Sequence, residues 1–176
     1  GDHRDLHSFP TGRSSDLDIA ITIAEELGDK NTVGYVLKDI GHLYLQKKDM
    51  DKALDYYERA NAILEEVGNK HGIGYSLDRI GNVYLAKGDY DNALEHFGKA
   101  KEIHEERGNR SGVMWSLLGM GDVHFNQGDK DKALDYFERS FDIRKEIETE
   151  SGGLWSKTYL FLTYKHFGVD YDVKIG

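Results

Sequence analysis

Apolar positions in this chain follow a helical spacing that restarts every forty residues. Leu37, Ile40, Gly41 and Tyr44 fall at i, i+3, i+4 and i+7, which is one face of a helix. The face returns as Leu77, Ile80, Gly81 and Tyr84, then as Leu117, Met120, Gly121 and His124. A second face follows each one: Ala53 with Tyr57, Ala93 with Phe97, Ala133 with Phe137. The pattern predicts helices in pairs, with small residues (Gly41 and Ala53, Gly81 and Ala93) letting the two backbones approach. Gly88-Asp89 and Gly128-Asp129 divide the helices of a pair, and Gly28-Asp29, Gly68-Asn69 and Gly108-Asn109 divide the pairs. Glycine suits the left-handed residue that ends a helix, and aspartate or asparagine suits the N-cap of the next. Lys48 stands where Gly88 and Gly128 stand, so it is expected to be left-handed despite its side chain.

Three stretches align in phase: "GYVLKDIGHLYLQKKDMDKALDYYERA" from Gly34, "GYSLDRIGNVYLAKGDYDNALEHFGKA" from Gly74 and "MWSLLGMGDVHFNQGDKDKALDYFERS" from Met114. "LWSKTYLFLTYKHFG" from Leu154 is a partial fourth copy, and Ile23 aligns with Ile63, Ile103 and Ile143. One array is therefore expected over 18–176. It comprises a partial unit 18–29, full units at about 30–69, 70–109 and 110–149, and a partial unit 150–176. The Leu-x-x-(Leu)-Gly-x-x-Tyr and Ala-x-x-x-Phe pattern resembles the tetratricopeptide repeat (TPR) family. The usual form is shorter and has a proline near the end of its second helix, which is missing here. The forty-residue period resembles a longer subtype found in bacterial signalling proteins. The resemblance implies an all-α, right-handed superhelical solenoid of antiparallel helix pairs, with a concave groove that binds peptides.

Residues 1–17, "GDHRDLHSFPTGRSSDL", belong to no unit and hold the only proline, Pro10. They lack the apolar core of a secretory signal. The string resembles a translated sequencing adapter, differing at Gly12, so it is expected to be foreign to the fold. The array is accordingly expected to begin upstream of Asp18. At the other end "GVDYDVKIG" resembles the start of a further unit. Trp155, Leu160, Phe161, Leu162 and Phe167 make the last first-helix unusually apolar. A terminal cap needs a polar outer face, so this helix is expected to dock on a C-terminal region that follows; the alternative is a degenerate cap that ends the protein.

Composition removes several function classes. The net charge is −9, which argues against nucleic acid and against an anionic membrane surface. No apolar run approaches the roughly 18 residues of a membrane span. Cysteine is absent, so disulfides and thiolate metal sites are excluded. Outside the foreign segment, His42, His71, His96, His104, His124 and His166 show no i, i+4 zinc spacing. His124 replaces Tyr44 and Tyr84 and is read as packed. Paired glutamates such as Glu65-Glu66 read as solvated faces. No phosphate loop or nucleophile elbow is present, so no enzyme activity, metal or cofactor is expected, and a cytoplasmic location is.

The strongest functional feature is a stripe on the first helices, at i, i+3, i+7 and i+10. Its first column is Tyr35, Tyr75, Trp115 and Trp155, and its second is Lys38, Asp78, Leu118 and Thr158. The third is His42, Asn82, Asp122 and Leu162, and the fourth is Leu45, Leu85, Phe125 and Lys165. By resemblance these positions face the groove, and their charge varies while the core face repeats; the alternative for the aromatic column, Tyr35 and Tyr75 above all, is packing between neighbouring units. The expected site is therefore Tyr35, Lys38, His42, Tyr75, Asp78, Asn82, Trp115, Leu118, Asp122 and Phe125. Its mixed charge does not match the basic carboxylate clamp of chaperone-binding members. The expected function is a protein-interaction module binding a protein or peptide ligand, part of a larger bacterial signalling protein. The alternative is a small-peptide, pheromone-type sensor that regulates an attached output domain. Deleting residues 1–17 should leave helicity and melting temperature unchanged. A drop of several degrees would make the segment part of the fold.

Overall fold

The computed structural model describes residues 19 and 21–151. Residues 1–18 and 152–176, with the foreign-segment and C-terminal docking expectations that fall on them, lie outside the described residues. After helical residues 21–26 come six helices. They are α1 (Lys30–Gln46), α2 (Met50–Glu66), α3 (Lys70–Lys87), α4 (Tyr90–Glu106), α5 (Arg110–Asn126) and α6 (Lys130–Ser151). No strand occurs among the described residues. The fold is an all-α solenoid of helix pairs, α1/α2, α3/α4 and α5/α6.

The sequence punctuation is realised bond for bond. At each turn one residue has positive φ: Gly28, Lys48, Gly68, Gly88, Gly108 and Gly128. Around Lys48, its N–H donates to Leu45 O at 2.9 Å and the Asp49 N–H donates to Tyr44 O at 3.0 Å. This is the Schellman arrangement, which satisfies carbonyls that the helix end leaves open. The same two bonds recur at the other five turns. The residue closing each Schellman motif is also the next N-cap. For example, Asn69 Oδ1 accepts from the Gly72 N–H at 2.9 Å. One two-residue link thus stops one helix and starts the next.

Packing follows from glycine set against aromatic rings. Tyr57, Phe97 and Phe137 on the second helices are buried. A Cβ at Gly41 would meet Tyr57 at 2.9 Å, one at Gly81 Phe97 at 2.9 Å, and one at Gly121 Phe137 at 2.5 Å. The ring occupies the space a side chain would need, so the helices close tightly. A second aromatic pair locks each unit: Tyr44 on Tyr56 at 5.3 Å, Tyr84 near His96 at 5.3 Å, His124 on Tyr136 at 5.4 Å. His124 is therefore packed, as its alignment with tyrosine suggested. Exposed ion pairs join the ends of each unit: Lys30–Glu66, Lys70–Glu106 and Arg110–Glu146. Such pairs contribute little.

Curvature follows from which helices touch. The first helices of successive units, α1 with α3 and α3 with α5, contact one another. The second helices, α2, α4 and α6, do not. The first helices therefore lie on the inside of the bend, and their outward-facing side chains form the concave face.

Lys48 has φ 61°, the only non-glycine residue with positive φ among the described residues. A residue with a Cβ there costs about 1 kcal/mol or more, partly offset because glycine has more freedom when unfolded. Lys48→Gly should leave the denaturant midpoint unchanged or raise it, and Gly88→Lys should lower it by about 1 kcal/mol in stability. A clear fall for Lys48→Gly would contradict this account of the turn.

Candidate functional site

The concave face begins at a cleft between α1 and α3. Its volume is about 190 Å³, and Lys38, Asp39, His42, Tyr57, Tyr75 and Arg79 line it. Tyr57 reaches it from α2, because its ring rests on Gly41 and leaves the hydroxyl at the far edge. That hydroxyl is buried and has no hydrogen-bond partner. Burial pushes the Tyr57 phenol up to about 12, with Arg79 pulling it down and Asp39 adding to the rise. An unpaired buried hydroxyl costs roughly 1–3 kcal/mol. Neither Lys38 nor Arg79 forms an ion pair among the described residues. The Lys38 ammonium instead lies 4.9 Å from the centre of the Tyr35 ring, and His42 Nε2 is 3.1 Å from the Gln46 amide nitrogen.

The structure sorts the expected stripe into three groups. Lys38, His42 and Tyr75 share the cleft. Tyr35 and Tyr75 are half-buried at the unit junctions, where Asn69 donates to the Tyr35 hydroxyl at 3.1 Å and Asn109 to that of Tyr75 at 3.4 Å. Asn82, Leu118, Asp122 and Phe125 are half-buried, and Trp115 is 55% exposed. Leu45 and Leu85, by contrast, pack against the Ala53/Tyr57 and Ala93/Phe97 clusters, so the fourth column belongs partly to the core. Sequence reasoning missed Tyr57, Asp39 and Arg79. Position 79 runs Asp39, Arg79, Gly119 across the units, the same charge variation that marked the stripe, one residue along the helix.

Asp78 needs correcting. Its carboxylate does not line an open groove; the residue is 7% exposed at the junction of α3, α4 and α5. Ser116 Oγ donates to Asp78 Oδ1 at 2.7 Å, and His104 Nε2 lies 3.0 Å from Asp78 Oδ2. Asn109 Nδ2 is 3.1 Å from His104 Nδ1, so the imidazole accepts there and presents its Nε2–H to Asp78. The buried polar groups are thereby paired, which is what makes them tolerable in the interior. Aspartate is flanked by serine and histidine here, and the serine hydroxyl is fully buried with no imidazole to accept its proton. This is not a nucleophile. At the preceding junction Lys38 replaces Asp78 and Leu64 replaces His104, and the Ser76 hydroxyl is left buried without a partner.

Asp122 lies on the concave side of α5. Burial alone holds its carboxyl up at about 6. No cluster of histidine and carboxylate side chains suited to a metal occurs among the described residues, and no helix there is long and apolar enough to cross a membrane.

Two family models, both described as tetratricopeptide repeat, match residues 73–146 and 39–63. Together the matches take in more than half of the chain. The chain belongs to the tetratricopeptide-repeat family. No curated protein matches it. The solenoid is similar to the crystal structure of aspartyl phosphate phosphatase F from Bacillus subtilis, with TM-score 0.71 and 18% identity. That likeness covers 77% of this chain and 36% of the phosphatase. BtubC from P. vanneervenii gives TM-score 0.67 at 19% identity, over 77% of this chain and 56% of that one. The TPR domain of Arabidopsis FLU gives 0.63 at 15%, over 66% and 98%. The chain thus spans little over a third of the phosphatase and just over half of BtubC. At these identities the likeness shows the fold.

The Asp122 shift has a direction that can be tested. A carboxyl raised in the folded state stabilises the fold most below its unfolded value near 4, and that contribution is lost as pH rises through about 6. Asp122→Asn should therefore raise the melting temperature at pH 7.5, and the gain should shrink towards pH 4. A gain that does not vary with pH would show that Asp122 is not desolvated.

Proposed function

We propose that this TPR array is a protein-interaction module that holds an extended segment of a partner along its concave face, with acidic side chains of that segment over units one and two. The observation that carries the reading is the cleft between α1 and α3. Lys38 and Arg79, two cations without ion pairs among the described residues, and the unsatisfied buried phenol of Tyr57 line one small cavity in a chain of net charge −9. The free protein bears the cost of that hydroxyl, and a ligand carboxylate could accept its hydrogen bond. Hydrogen bonds between donors and an ionised acceptor are the stronger kind. Asp39 and His42 at the rim favour a single carboxylate over a dense acidic run. The forty-residue period supports a place within a larger bacterial signalling protein.

The test is peptide selection from a display library, followed by titration of the selected peptides. Acidic residues should be enriched. Lys38→Glu with Arg79→Glu should weaken the selected peptides at least tenfold and shift a new selection towards basic residues. Tyr57→Phe should weaken them about threefold to tenfold, the net value of one hydrogen bond, while leaving melting temperature unchanged or higher. Enrichment that ignores the double charge reversal would sink the proposal.

A further inference from the structure

Asp122 is the feature that the cleft leaves unexplained. It is half-buried, on the inner helix of unit three; the Asn126 amide donates to its backbone carbonyl at 2.7 Å, and no side chain among the described residues forms a hydrogen bond or ion pair with its carboxylate. Burying an ionised carboxylate without a partner is unfavourable, and nothing among the described residues compensates. Trp115 lies on the same face of α5, at i and i+7, about 10 Å apart by helical rise. Its large apolar side chain stays 55% exposed. Between them at i+4 stands Gly119, where a Cβ would strike the Phe97 ring at 2.5 Å. Gly119 is thus buried under that ring, and the side chain between the indole and the carboxylate on the inner face is Leu118 at i+3, which is half-buried. Asn82, at the register-equivalent position on α3, is half-buried.

We propose that Trp115, Leu118 and Asp122 form a cation subsite that takes a lysine or arginine side chain of the partner segment, the charged group on Asp122 and the aliphatic stem over Leu118 against the indole. This rests on the groove reading above and gives it a direction. Acidic residues of the ligand lie over units one and two, and a basic residue lies over unit three. Charge complementarity selects the occupant: the Asp122 carboxylate has no partner among the described residues, and the indole offers apolar surface to the stem of a cationic side chain. A guanidinium or ammonium would supply the missing counter-charge.

The test uses the full chain with Trp155→Phe, so that Trp115 is the sole tryptophan. The probes are blocked synthetic peptides with two acidic residues followed by one arginine at successive positions, each paired with a twin carrying citrulline, which is neutral and nearly isosteric. At the best spacing the arginine peptide should bind about tenfold tighter than its twin, and binding should shift Trp115 emission. Asp122→Asn should bring the two affinities within about twofold of each other while leaving the citrulline peptide nearly unaffected. Equal binding of the two peptides to the unmutated groove, or a preference that survives Asp122→Asn, would overturn the subsite while leaving the acidic cleft standing. Loss of all binding dependence on Lys38 and Arg79 would overturn the groove reading itself. Trp115 emission that shifts on dilution without peptide would make a second copy of the chain the occupant, and that too would overturn the proposal.

Discussion

Each unit depends on an aromatic ring lying where a first-helix side chain would otherwise be. Tyr57 rests on Gly41, Phe97 on Gly81, and Phe137 on Gly121. Interiors pack at crystal-like density, so a single extra methyl group at these glycines would push the helices apart. The spacing inside each pair follows, and with it the approach of α1 to α3 and α3 to α5. Phe97 is pressed from two sides, by Gly81 of its own unit and Gly119 of the next. The contact within a unit and the contact between units thus share one ring.

The two junctions solve the same packing problem with different chemistry. Between units two and three, Phe97 has no hydroxyl, Gly119 takes no space, and Asp78, His104 and Ser116 form a paired buried network. Between units one and two, Tyr57 carries a hydroxyl, Arg79 and Lys38 bring charge, and Leu64 fills the place of His104. There the polar groups are left open: the Tyr57 and Ser76 hydroxyls are both buried without partners. Buried polar atoms are nearly always satisfied. Two unpaired hydroxyls at one junction, one of them beside the cleft, set it apart from the paired junction. The concave face therefore changes character along its length, basic and unsatisfied at one end, acidic and aromatic at the other.

Much of the fold was legible in the chain because its determinants are local. The six turns and their caps depend on residues within five positions of one another, so glycine and aspartate or asparagine at a fixed offset suffice to place them. The left-handed Lys48 was legible for the same reason. The groove was less so. Helical spacing puts Asp78 on the stripe, yet its carboxylate is drawn into the interior by Ser116 and His104, which are 38 and 26 residues away. Tyr57 looked like a core residue alone, since nothing in the spacing shows that its hydroxyl passes the glycine and reaches the far side.

The sequence by itself determined the helices, their lengths, the forty-residue unit and the residues that close each pair, because those follow from period and backbone preference. Only the tertiary structure decided which stripe residues stay open. Trp115 remains exposed while the register-equivalent Tyr35 and Tyr75 are held at unit junctions by Asn69 and Asn109. Whether a polar side chain faces solvent or a partner depends on which residues the neighbouring unit places against it. That is set by packing between helices distant in the chain, and no local pattern records it.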